Sequence, residues 1–238
     1  MKIIKLKTTD STNSEAKRQV DKTGETFFAV SAGMQTAGRG RFGRAWQTPE
    51  GNVAVTIVVP LPTETSALPS ISLMTGIAIH DALSFFVKNA DIRIKWPNDI
   101  LINGAKISGT LIEADSRALY VGIGINRIAT PVDVPYATAT LEQFTFKESE
   151  EVVDVLVKLW CNYFDAWQTF GFGSLKNSYI TRMCRLNEYI EIAFDAQKTN
   201  KVGGVCRGVD DFGNLLIAKD SGEITAYNYG EIQFIASE

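Results

Sequence analysis

Residues 35–46 read Q-T-A-G-R-G-R-F-G-R-A-W, with Gly38, Gly40 and Gly43 interleaved among Arg39, Arg41 and Arg44. Glycine lets the backbone bend sharply, and arginine keeps its charge at any physiological pH. Guanidinium groups this close repel by roughly 1 to 4 kcal/mol per pair, depending on screening. No acidic residue lies inside the segment to relieve them. Fixing residues 38–44 costs about 7 to 14 kcal/mol, whereas each charge-assisted hydrogen bond returns roughly 1.5 to 3. An ordered loop therefore needs several contacts made together, which a polyphosphate or an acyl phosphate supplies, and an empty loop is expected to be mobile. A solvated basic loop, or a nonspecific contact with nucleic acid, is the alternative.

A second polar group, K-W-P-N-D, occupies residues 95–99. Pro97 lacks an amide donor and turns Trp96 away from helical geometry, so Lys95, Asn98 and Asp99 fall where a strand breaks. The next stretch, L-I-N-G-A-K-I-S-G-T-L-I-E, carries Asn103-Gly104 as a two-residue hairpin turn, with Lys106 and Gly109 on the returning strand. Taken alone, Lys106 reads as a solvated hairpin lysine. In G-I-G-I-N, Gly122 and Gly124 alternate along a strand, which lets another backbone or a flat ligand approach. The rest of G-x-G-x-x-G is missing, so this is no Rossmann fingerprint. Near the start, Thr12 and Glu15 have capping-box spacing, with Asn13 and Ser14 adding polar groups at a helix N-terminus whose free N–H groups face any polar ligand.

These groups need a framework. With 238 residues, 45% of them apolar and 21% charged, the chain suits one substantial core plus a small second module. A net charge of -3 argues against a dedicated nucleic-acid binder, because the positive charge is local. Met1 leads straight into K-I-I-K-L-K, with neither an export signal nor a membrane-spanning apolar run, which points to the cytoplasm. Cys161, Cys184 and Cys206 show no C-x-x-C spacing and read as buried thiols. His80, the only histidine, lies in an apolar-periodic run and reads as structural. Strands are expected at residues 2–7, 27–33, 52–60, 92–95 and 118–126, and helices at 69–88 and 150–167, with 127–146 irregular. From Glu188 onward E-Y-I-E-I-A-F, K-V-G-G-V-C-R-G-V, L-L-I-A, I-T-A-Y-N and E-I-Q-F-I suggest a small β-barrel, with a boundary near residue 186.

In this order and with these gaps, G-R-G-R-F-G-R, K-W-P-N-D, A-K-I-S-G-T-L-I-E and G-I-G-I-N resemble the biotin protein ligases, from Ser11 to Asn126, and the C-terminal barrel is in keeping. The resemblance implies an α+β protein: a class II aminoacyl-tRNA synthetase-like catalytic domain of mixed sheet and helices (residues 1–186), then an SH3-like β-barrel (187–238). The chain begins directly at the catalytic domain, so no N-terminal helix-turn-helix and no specific DNA binding are expected. The implied reaction has two steps. Biotin and Mg2+-ATP give biotinyl-5'-AMP and pyrophosphate, and a lysine of a biotin carboxyl carrier protein domain of a carboxylase then takes the biotin.

By the same resemblance, Arg39, Arg41, Lys106 and Asp99 are catalytic. Ser11, Thr12, Asn13, Gln35, Gly38 and Gly109, with Arg39, Arg41 and Lys106, hold biotin. Arg44, Trp46, Lys95, Asn98 and Asn126, again with Arg39, Arg41 and Lys106, hold ATP. Phe42 stands where some relatives have a further basic residue, and Thr110 and Ile112 replace other small or branched residues. Metal ligands and homodimer formation stay open. The competing readings are lipoate or octanoate ligation on the same fold, and a non-catalytic binder of nucleic acid.

Overall fold

The β-branched runs of the first half of the chain become one sheet. In the computed structural model, which describes residues 1–62, 67–146, 148–149 and 151–233, seven strands share it. They are β1 (Lys2–Thr9), β2 (Phe28–Gln35), β3 (Val53–Pro60), β4 (Ile92–Lys95), β5 (Asp99–Ile102), β6 (Ala105–Ala114) and β7 (Ala118–Ile125), in the order β1-β2-β3-β7-β6-β5-β4. β1 and β2 pair parallel, which requires a crossover, and α1 (Thr12–Thr23) provides it. The other neighbours are antiparallel. Asn103 and Gly104, both at positive φ, form the expected turn between β5 and β6.

Helices cover both faces. On one, Ala16 and Val20 of α1 pack with Phe28, Val30, Val58 and Tyr120. On the other, α2 (Leu68–Phe86) and α3 (Val152–Phe170) pack against Val55, Ile57, Val121 and Ile123. β3 is therefore buried from Val53 to Val59, and this is why it reads as a continuous apolar run rather than an alternating one. α2 lies between the sheet and α3, so apolar residues surround it on nearly every side. The indole N–H groups of Trp160 and Trp167 are satisfied by Thr75 Oγ1 and Ser70 Oγ of α2 at 2.9 and 2.8 Å.

The expected capping box is not formed. Ser11 is the residue preceding α1 and makes no side-chain cap bond. Thr12 is already helical, and its N–H donates to Gln35 Oε1 of β2 at 2.8 Å, while Glu15 engages Arg18 and Gln19. A side chain from a neighbouring strand thus does the work assigned to a local cap. α4 (Lys176–Arg182) and the 3-10 turn before it escape the sequence reading. At seven residues α4 is too short to show a period, and packing of the fully buried Tyr179 holds it.

The second sheet comprises β8 (Tyr189–Ala193), β9 (Lys201–Val209), β10 (Leu215–Ala218), β11 (Ile224–Tyr227) and β12 (Glu231–Gln233), in the order β11-β10-β9-β8-β12. Phe234 and Ile235 of the last expected strand, and Glu150 of the expected helix, lie outside the described residues. The two sheets meet at the end of β4. Cys184 N–H donates to Ile94 O at 2.9 Å, and the buried Trp96 donates its indole N–H to Gly213 O at 3.1 Å. His80 pairs with Asp81 at 2.8 Å beside Arg182, a structural setting, and the three cysteines are unpaired. No described helix is long and apolar enough to cross a membrane.

Trp96→Phe would leave the Gly213 carbonyl without its indole donor. A loss of about 1 to 3 kcal/mol of unfolding free energy is expected in urea titrations.

Candidate active site

A cleft opens on the α1 side of the sheet, where Gly109, Leu111, Gly122 and Gly124 are part of its lining. Gly109 and Leu111 share a face by the two-residue period of β6 and stand opposite Gly124 and Gly122 of β7. Lys106 has the wrong parity for that face. A bulge corrects it: the β5–β6 register runs Asp99↔Gly109 and Ile100↔Ser108, then shifts to Leu101↔Lys106. The extra residue, Ile107, stays in the core, and Lys106 joins the cleft. There its Nζ lies 2.7 Å from Asp99 Oδ1, and 5.6 and 5.5 Å from the ring centroids of Trp46 and Tyr136.

The glycines are needed for what lies on them. A Cβ on Gly124 would collide with the Trp46 indole, one on Gly109 would crowd the same ring, and one on Gly122 would collide with the Asn13 amide. The backbone N–H of Trp46 in turn donates to Gly38 O at 2.9 Å, which fixes the far end of the arginine loop.

Each loop arginine is met from outside the loop. Arg39 pairs with Glu113 of β6 at 3.1 Å and donates to Ser14 Oγ at 2.9 Å. Arg44 pairs with Glu231, at the start of β12, at 2.8 Å. Arg41 donates to neutral oxygens, Asn98 Oδ1 at 3.0 Å and Gly230 O at 3.2 Å. Two carboxylates distant in sequence, Glu113 and Glu231, thus supply the counter-charge that the segment itself lacks. Burial pushes the Arg41 guanidinium and the Lys95 ammonium below their ordinary values, against the pull of Asp99 and Glu231. Burial opposes ionisation of Glu231, but Arg44 and Lys95 outweigh it and hold the carboxyl below the usual range.

Beneath the loop lies a polar pocket. Gln35 Oε1 accepts from Thr12 N–H, its Nε2 donates to Thr48 Oγ1 at 2.9 Å, and Thr56 Oγ1 donates to Asn13 Oδ1 at 2.6 Å. Ser11, Thr12, Asn13, Thr48 and Thr56 are buried. Groups of this kind can exchange hydrogen bonds with an uncharged ligand head, and the neighbouring cationic end has the charge that phosphates would need.

Comparison with known proteins follows the same lines. Residues 5–126 match the biotin/lipoate A/B protein ligase family, and residues 192–235 match the biotin protein ligase C-terminal domain. A biotin--[acetyl-CoA-carboxylase] ligase of Paracoccus denitrificans is 33% identical over 91% of this chain and 94% of its own length. The chain belongs to the biotin protein ligase family. The Escherichia coli bifunctional ligase/repressor BirA is 29% identical over 96% of this chain and 73% of its own. The Aquifex aeolicus biotin protein ligase, solved with biotin and ATP, superposes with a TM-score of 0.83 at 28% identity, covering 98% of this chain and 97% of that one.

In this ligase the cleft gathers Ser11, Thr12, Asn13, Gln35, Arg39, Arg41, Arg44, Trp46, Asn98, Asp99, Lys106 and Gly109. Three expected residues do not line it. Gly38, at the start of the loop, abuts Gln35 and Trp46, and Lys95 lies within electrostatic reach of Asp99 and Lys106. Asn126 is buried beyond β7, its backbone bonded to Ile107 and Leu141. Tyr136 and Glu231 line the cleft unforeseen, the first from a stretch read as irregular, the second from a strand read as framework. Glu113, the last residue of A-K-I-S-G-T-L-I-E, also reaches the site unforeseen, because strand alternation puts it on the face of Gly109.

Gly124→Ala is expected to destabilise the ligase by about 1 to 3 kcal/mol in chemical denaturation, since the indole must move; a Trp46→Ala background should abolish the difference. Because Glu231 is lowered in the folded protein, the stability it lends is complete above the ordinary glutamate value near 4.5 and disappears as pH falls through the lower folded value. The stability difference between wild type and Glu231→Gln should therefore shrink below that pH in denaturation curves.

Proposed function

We propose that this ligase activates biotin with ATP as biotinyl-5'-AMP and then transfers it to a lysine of a biotin carboxyl carrier protein domain, in the cytoplasm. The observation that carries the reading is the coupling of a neutral hydrogen-bonding pocket to an arginine loop. A ureido ring can exchange hydrogen bonds with Thr12, Asn13 and Gln35 without bringing charge, whereas the dithiolane of lipoate offers them no N–H or carbonyl partner. The match to a biotin protein ligase C-terminal domain supports the same choice. The division between catalytic and SH3-like domains falls near residue 186.

In the first step a biotin carboxylate oxygen attacks the α-phosphorus of ATP. One P–O bond forms, the bond to the β-phosphate oxygen breaks, and pyrophosphate leaves. Anions are brought together, so the cationic side chains of the cleft do the work. Arg41 and Lys106 neutralise the reacting phosphate, Arg39 holds the loop over the carboxylate, and Arg44, Asn98 and Lys95 serve the leaving phosphates. Trp46 presents its ring to the adenine, with Asn126 behind it on the nucleotide side. Ser11, Thr12, Asn13 and Gln35 hold the ureido group, and Gly38 and Gly109 let Gln35 and Trp46 close in around it.

Magnesium enters with ATP as part of the substrate. Among the described residues no group of three His, Cys, Asp or Glu side chains converges to hold it, and Asp99 and Glu231 are already paired. In the second step an uncharged lysine amine attacks the acyl carbon, the acyl–phosphate bond breaks, and AMP leaves. Asp99, which lies 2.7 Å from Lys106 Nζ, takes the amine proton in this reading. If Asp99→Asn transferred biotin normally from supplied adenylate, Asp99 would be only a holder of Lys106.

Purified protein with Mg2+ and ATP should release pyrophosphate only when biotin is added, and not with lipoate. Arg41→Ala should lower that rate roughly 100- to 1000-fold, as removal of a charge-stabilising donor does elsewhere. Equal release with lipoate, or tight nucleic-acid binding that weakens steeply with salt, would favour the competing readings.

A further inference from the structure

Glu113 touches both halves of the site. Its Oε2 accepts from Asn13 Nδ2 at 3.1 Å and lies 3.0 Å from Lys17 Nζ, and both carboxylate oxygens accept from Arg39 Nη2, at 3.2 and 3.1 Å. A carboxylate only accepts, so it dictates which way the Asn13 amide points: Nδ2 toward Glu113, Oδ1 toward the Thr56 hydroxyl. Asn13 is 4% exposed and lies on bare Gly122, which leaves it little room to turn. Arg39, for its part, is anchored to protein by Glu113 and by Ser14 of α1, whereas the hydrogen bonds of Arg41 go to neutral oxygens that a phosphate can replace. Two arginines that look equivalent in sequence thus have different surroundings.

We propose that Glu113 is a positioning residue for the vitamin: it orients the Asn13 amide and anchors Arg39, so that the polar pocket at the head of α1 and the first turn of the arginine loop close as one unit. This rests on the biotin ligase reading above. Charge at Glu113 then governs capture of biotin and leaves the ATP end, held through Arg41, Arg44 and Glu231, unaffected. Lys17, which reaches the same carboxylate from the surface, has no part in that coupling.

Biotin-dependent exchange of labelled pyrophosphate into ATP separates the two ends of the site. Glu113→Gln keeps the volume and removes the charge; it should raise KM for biotin about tenfold, the cost of one charge-assisted bond, and leave KM for ATP within about twofold. Arg39→Ala should show the same biotin-selective loss, and the double variant should be no worse than the poorer single one. Lys17→Ala should behave as wild type. The inference is overturned if Glu113→Gln leaves biotin KM unchanged, if both KM values rise together, if the two losses multiply in the double variant, or if Lys17→Ala reproduces them. Should Glu113→Gln fail to fold, Arg39→Ala decides: a loss confined to ATP also overturns it. A wild-type protein without biotin-dependent exchange would instead overturn the functional reading itself.

Discussion

Three guanidinium groups within six residues repel one another, and a loop that carries them has a defined shape only where opposite charge reaches it from elsewhere. Here that charge comes from Glu113 on β6 and Glu231 on β12, one at each end of the loop. Arg39 and Arg44 are 42% and 48% exposed, so pairs of this kind contribute only about 0 to 1 kcal/mol apiece to folding. Their value is positional. With the flanking charges matched, Arg41 is left in the middle, more deeply buried and bonded to neutral oxygens, where an incoming anion gains most from it.

The sheet serves that arrangement through parity. Alternation on β6 and β7 gives one face to the core and the other to the cleft, and the bulge at Ile107 moves a lysine from the first to the second. Removing side chains at Gly122 and Gly124 then lets an amide and an indole rest directly on the strands. The cleft is thus a surface shaped as much by missing Cβ atoms as by the groups that project from it.

Most of the framework was legible because it depends on local pattern. β-Branched runs marked the strands, helical spacing marked α2 and α3, and Asn103-Gly104 marked its turn. The site was legible in part: the arginines announce their chemistry by type and spacing. What escaped was set by distant partners. Thr12 and Glu15 have the spacing of a cap, yet Gln35 of a neighbouring strand satisfies the helix. Glu113 and Glu231 are ordinary strand residues until the fold brings arginines to them, and Tyr136 sits in a segment with no period. Lys106 looked like a solvated hairpin residue because a bulge leaves no mark on the order of letters.

The contact of Arg44 with Glu231 joins a residue from the first fifth of the chain to one among its last ten. During synthesis the seven strands of the large sheet emerge well before β12, so an unfinished chain carries the loop with one end of its charge unmatched. The loop's second anchor thus waits on the smaller sheet. A chain cut before β12 lacks the carboxylate that meets Arg44, so the small sheet is a structural partner of the loop as well as an appended module.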